Sequence, residues 1–153
     1  MKARLLINRI LAWTIDFGII VLYALLLFAV VTMFFDVKEG DLNPYLGQLI
    51  GFATMTLPVF TYSFLTERSK WKGTIGKKIL NIKVLTDEEN KTKSILLRNV
   101  LKYLPWELAH IGVHWIFYYA SVGREIPIWT CAIVIIPQVI VLIYFVSIIL
   151  SKG

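Results

Sequence analysis

Arg9, Asp16, Glu67, Glu107, His110 and His114 stand inside or at the rim of long apolar stretches. A charge held there costs about a few kcal/mol or more unless it faces protein, water or a partner of opposite sign. Three chemistries fit these residue types. In the first, Arg9 pairs with Glu107 and Asp16 with a histidine, locking helices in register through polar contacts worth about 0.6 kcal/mol each. In the second, they form an ion or proton pathway. Asp16 is then the exchanging carboxylate, Glu107 and His110 relay or gate, His114 extends the row, and Arg9 tunes the carboxylate by proximity. The third is a metal site. Glu107 and His110 make one Glu-x-x-His, a half-site that di-metal bundles need twice, with further carboxylates. His110 and His114 have zinc-pair spacing, but no glutamate follows the first histidine. No metal is expected.

Spacing groups these residues by helix face. Arg9 and Asp16 are about two turns apart, with Trp13 between them on the same face. Glu107, His110 and His114 stand at i, i+3 and i+7 and also share a face. Glu67 closes the second apolar run. Read at matching depth in the inner half of a membrane, these groups gather around Asp16.

Enzyme signatures are missing. No Walker loop, Gly-x-Gly-x-x-Gly or Gly-x-Ser-x-Gly occurs. Gly73-Thr74-Ile75-Gly76-Lys77-Lys78 looks suited to phosphate but lacks the first glycine spacing and the hydroxyl residue after the lysine. It reads as a tight turn with lysines on headgroups. No catalytic residue and no cofactor is expected.

The elements that must position these side chains are membrane helices. The chain has 153 residues, 58% of them hydrophobic, with a mean hydropathy of +0.71. That is too apolar for an ordinary soluble globule. Apolar runs at 10–35, 45–65, 104–120 and 127–150 reach or approach the roughly 20 residues a spanning helix needs. The first run is too long for a signal-peptide core and lacks a small-residue cleavage site, so it reads as a retained span. Pro58 is expected to bend the second, whose glycines and hydroxyl residues suit close helix packing. The net charge of +6 belongs to topology rather than to nucleic acid. Residues 66–103 carry ten basic side chains against four acidic ones. The positive-inside rule makes that segment cytoplasmic, with both termini on the same side and the acidic 36–43 loop outside. Within it, residues 78–85 partly alternate as a strand of a short hairpin. Thr92 or Ser94 is expected to cap an amphipathic interfacial helix leading into the third span. The single cysteine, Cys131, has no partner for an internal disulfide. The expected fold is an all-α membrane protein, one domain over 1–153, with four transmembrane helices.

Two blocks resemble the RDD family of membrane proteins. One is Arg9, Ala12 and Ile15-Asp16 in the first span. The other is Gly73 to Val84, where Thr74, Gly76 and Lys77 are similar to the family's Thr-Leu-Gly-Lys-Arg segment, followed by Ser94 and Arg98. The resemblance covers roughly residues 5 to 105. The family is named for one arginine and two aspartates. Arg9 and Asp16 fill the first two places, and Asp87 is the candidate for the third. Some members are proposed to be sodium, lithium or potassium/proton antiporters, and others accompany membrane enzymes. The resemblance thus implies antiport of monovalent cations in the plasma membrane, or else a regulatory or assembly subunit of a larger membrane protein. The expected partners are anionic lipid headgroups, monovalent cations and either a second copy or a partner membrane protein.

Overall fold

The computed structural model describes residues 2–34, 43–86 and 89–150. The acidic 36–42 stretch, Asp87 and Lys152 lie outside the described residues. All regular structure among the described residues is helical. The elements are α1 (Lys2–Phe34), α2 (Pro44–Gly51), a π turn (Phe52–Thr56), α3 (Leu57–Arg68), α4 (Ile75–Ile79), α5 (Lys91–Ser121) and α6 (Ile128–Leu150).

α1 is a proline-free run of 33 residues, about 50 Å long. Its threonines fold back on their own helix. Thr14 and Thr32 donate to the carbonyls of Ile10 and Phe28, each at 3.0 Å, so neither hydroxyl is left to lipid. The next helical stretch starts at Asn43, whose side chain accepts the Tyr45 N–H at 3.0 Å, with Pro44 in the first turn. It does not simply bend at Pro58. A proline ring displaces the carbonyl four residues back and offers it no N–H. Upstream of Pro58 the backbone widens into the π turn, a known way to accommodate such a defect. Arg4–Phe34 and Pro44–Arg68 are long and apolar enough to cross a bilayer, and Ile128–Ile143 is a shorter apolar helix.

Two expectations for residues 66–103 are corrected. No strand forms among the described residues, so the hairpin is absent. Its backbone groups are used elsewhere. The Ile82 N–H goes to the Lys77 carbonyl at 2.8 Å and the Val84 N–H to the Lys72 carbonyl at 2.7 Å, while ahead of the segment the Ile75 N–H goes to the Tyr62 hydroxyl at 3.0 Å. The alternating segment is thereby fastened to the α4 turn instead of to a second strand. Nor is there a separate interfacial helix. α5 begins at Lys91, upstream of Thr92 and Ser94, and continues through Pro105 to Ser121. Pro105 is therefore an interior proline, not the start of a span.

The chain forms two compact units. The first contains α1, α3, α4 and α5 as far as Val100. The second contains α2, the π turn, α5 from Leu101 and α6. In the second, Trp115 joins three elements. Its ring lies 5.3 Å from Tyr45 of α2 and 5.5 Å from Trp129, which opens α6. Burial is inverted relative to a soluble fold. The most fully hidden side chains are Ile95, Glu67, Asn99, Thr74, Thr130 and Ser63, nearly all polar. Meanwhile Leu22, Leu25 and Phe28 of α1 and Ile135, Ile140 and Leu142 of α6 are exposed. Water does not tolerate apolar faces of that extent, whereas lipid does.

Candidate functional site

In the first unit, Asp16 is the centre. It is 9% exposed and sits against the N-terminus of α4. Thr74 donates its hydroxyl to Oδ2 at 2.5 Å, and Gly76 donates its N–H to Oδ1 at 2.9 Å. A carboxylate suits such a helix start, where backbone N–H groups lack partners. Gly76 is what admits the approach. A side-chain carbon there would collide with the Ala12 carbonyl oxygen and stand 3.1 Å from Asp16 Cγ. Ala12 is itself buried. Two small residues thus let the 73–76 backbone lie on α1, with its polar groups hidden rather than open to lipid.

The residue after Gly76 turns to another acid. Lys77 Nζ is 2.5 Å from Glu67 Oε1, and Arg98 approaches the same oxygen at 3.9 Å. The Asn99 amide donates to Glu67 Oε2 at 3.1 Å and to the Ile95 carbonyl at 2.9 Å. Glu67 is 2% exposed and Asn99 is fully buried. The short α4 turn is therefore held by two buried acids through adjacent residues, Asp16 by Gly76 and Glu67 by Lys77. This revises the reading of its lysines. Lys78 stays outside, over the Trp71 ring at 3.6 Å, but Lys77 points inward to Glu67 instead of to headgroups.

In the second unit, Glu107 Oε2 accepts the hydroxyl of buried Thr56 at 2.6 Å. His110 packs edge-on to Trp106, centroids 4.6 Å apart, and its Nδ1 is buried without a hydrogen-bond partner among the described residues. The His114 ring lies 6.3 Å from that of His110. It fills the notch left by two glycines of α2. A side-chain carbon at Gly47 or Gly51 would come within 3.1 Å of its nitrogens.

With both sites described, the comparison with known families is decisive. The RDD family model matches residues 4–152. The chain belongs to the RDD family. No curated protein and no solved structure matches it. The family is membrane-associated, in keeping with the two apolar helices long enough to span a bilayer.

Within this RDD protein, the two sequence blocks of the resemblance prove to be one site, since Asp16 of the first block binds Thr74 and Gly76 of the second. Within its own unit, Asp16 takes its hydrogen bonds from these two donors. Arg9 belongs to the first unit and is exposed. Asp87 lies outside the described residues. Glu67 sits in the first unit with Asp16, while Glu107, His110 and His114 belong to the second. Among the described residues no group of histidine, cysteine and acidic side chains is arranged to hold a metal. Asn99, Thr56, Tyr62 and the Gly47/Gly51 notch were not singled out from sequence as partners of these groups. The apolar residues Ile95, Leu96 and Val100 around Asn99 were the available signal, because an asparagine on a buried face needs a partner.

Proposed function

We propose that this RDD protein is a four-span plasma-membrane protein that exchanges a monovalent cation for a proton at Asp16. The spans are α1, the stretch from α2 to α3, the apolar part of α5, and α6. Residues 66–103 and both termini are cytoplasmic by the positive-inside rule. One observation carries the reading. Both hydrogen bonds to buried Asp16 come from neutral donors, a hydroxyl and a backbone N–H, and among the described residues no basic side chain forms an ion pair with it. Glu67, by contrast, has its ammonium partner in Lys77. A carboxylate charge left without a counter-charge in such a place is neutralised by a proton or a bound cation, and alternation between the two is the exchange reaction. The Thr74 hydroxyl serves both states. It donates to the carboxylate and, once Oδ2 is protonated, accepts in return. A path across the bilayer would need a second copy, since a four-span chain is small for alternating access.

Flux measurements on purified protein in liposomes test this. Sodium, lithium or potassium gradients should drive pH changes inside the vesicle, and Asp16→Asn should abolish them. Asparagine keeps an acceptor for Gly76 and a polar partner for Thr74, so the fold should survive. Absence of cation-dependent proton movement in the unaltered protein would remove the proposal. A second reading, a regulatory or assembly subunit, is favoured by the same two hydrogen bonds, which also suit a latch holding α4 on α1. It predicts no flux, together with co-purification of one specific membrane protein that is lost when α4 is altered.

A further inference from the structure

The second unit contains a titratable row that exchange at Asp16 does not use. Glu107, His110 and His114 follow one another on one face of α5 at steps of about one turn. The Glu107 carboxyl is held by Thr56, the last residue of the π turn. A π turn is rare, and such turns are frequent at functional sites. This one ends on the hydroxyl given to Glu107. His110 then presents a buried nitrogen with no hydrogen-bond partner among the described residues. His114 follows at 6.3 Å between ring centroids, seated against Gly47 and Gly51.

We propose that Glu107, His110 and His114 form a proton-carrying row along α5, with Thr56 positioning its carboxyl end. The chemistry balances at each step. When the Glu107 carboxyl gives its proton to His110, an O–H bond breaks, an N–H bond forms, and a carboxylate faces an imidazolium. When His110 passes a proton to His114, one N–H bond replaces another. The net charge of the row is unchanged, and a bridging water spans any step longer than a direct hydrogen bond. The other titratable groups of this unit on α5 and the turn after it are Lys102, Tyr103, Tyr118, Tyr119, Arg124 and Glu125, none of which falls between Glu107 and His114. Among the described residues, α2 and the π turn carry one other ionisable side chain, Tyr45, which packs on Trp115. α6 carries Cys131, which is exposed, and Tyr144. A bond that only joined two helices would need Thr56 and Glu107. It would not need an imidazole with a buried, unpartnered nitrogen about one turn along, nor a second imidazole beyond it. The inference rests on the second unit alone and stands whether or not Asp16 exchanges cations.

Infrared difference spectroscopy of the whole protein in lipid nanodiscs, followed through a pH titration, tests it, with NMR of isotope-labelled histidines on the same samples. A carboxyl C=O band should appear on acidification and vanish in Glu107→Gln. Thr56→Val, which deletes the hydroxyl, should move it to higher frequency, and Asp16→Asn should leave it in place. In the NMR titration, Glu107→Gln should shift the midpoint of His110. If the band survives Glu107→Gln, or ignores Thr56→Val, or if His110 titrates identically with and without Glu107, the row carries no protons and Thr56–Glu107 is a packing bond. Should Thr56→Val not fold, Thr56→Ser must return the unaltered band position, and a displaced band there would equally overturn the role given to Thr56.

Discussion

Replacing Gly76 with alanine separates the two sequence blocks that define the first site. The added carbon would fall on the Ala12 carbonyl oxygen, far inside the 3.0 Å that real contacts of this kind respect, and would stand 3.0 Å from the Ala12 carbonyl carbon. Both neighbours are backbone of a long helix, so neither can swing aside. Restoring an ordinary contact requires α4 to back away from α1 by about 1 Å. At that displacement the 2.9 Å bond from Gly76 to Asp16 is no longer a hydrogen bond. The Thr74 bond stretches from 2.5 Å toward the limit. Overpacking of this kind costs about 1–3 kcal/mol, and a lost hydrogen bond to a charged group about 1.5–3 kcal/mol. The expected loss is therefore about 3–5 kcal/mol, a large share of the stability of a small domain. Unfolding in mixed detergent micelles, followed by circular dichroism, measures it, and amide exchange over residues 74–79 should accelerate in parallel. Gly18→Ala is the control. Nothing lies within 4 Å of a side-chain carbon at that position, so it should be neutral or slightly stabilising. If Gly76→Ala matches Gly18→Ala in both measurements, the close approach of α4 to α1 is not what holds Asp16.

Other perturbations follow the same contacts. Lys77→Ala strips the ammonium from a carboxylate that is 2% exposed, and should cost about 3–5 kcal/mol in the same unfolding assay. Adding Glu67→Gln should return part of that loss, because the carboxylate charge that Lys77 balanced goes with it; a double variant no better than the single would contradict the pairing. Gly112→Ala brings a carbon 2.5 Å from Val134 and 2.7 Å from the Thr130 carbonyl, so it should loosen α5 from α6 and redshift the emission of the Trp115–Trp129 pair. Gly51→Ala needs only a small shift of the His114 ring, since the contact is 3.1 Å to Nε2. It should leave stability within about 1 kcal/mol while altering the histidine NMR signal.

Helices were legible in the sequence because an apolar run in lipid has few alternatives to a helix. Their extents were less so. A period-two pattern at residues 78–85 promised a strand, but a strand needs a neighbour, and the segment's backbone is bonded to the α4 turn instead. α5 was divided in two on the strength of its lysines and Pro105. In the structure the helix runs unbroken through both, since long basic side chains can lie along a helix near the membrane surface without ending it. For the site, the residue types in the two RDD blocks were readable, yet their union was not. Nothing local in Asp16 or in the Gly73–Lys78 turn says that the cavity beside Ala12 is shaped to receive Gly76. That information lies in the smallness of both residues and in the direction of the turn after Lys72, whose φ of 52° is unusual for a lysine.

The contrast between the two buried acids of the first unit bears directly on function. They meet consecutive residues of one turn, Gly76 and Lys77. Glu67 receives an ammonium from Lys77 and an amide from Asn99, which leaves its charge compensated and its geometry fixed. Asp16 receives a hydroxyl and a backbone N–H, which hold its geometry equally well but leave the charge open. A purely structural latch had the first solution to hand, since a lysine in place of Thr74 would bring an ammonium to the same turn. Thr74→Lys therefore discriminates between the readings. If the charge at Asp16 is there only to fasten α4, a tethered cation should strengthen the junction and leave function intact. If Asp16 must accept a cation or a proton from outside, the same variant should abolish exchange, whatever the larger side chain costs at a position only 1% exposed. Stability and flux rising together would refute the exchange reading.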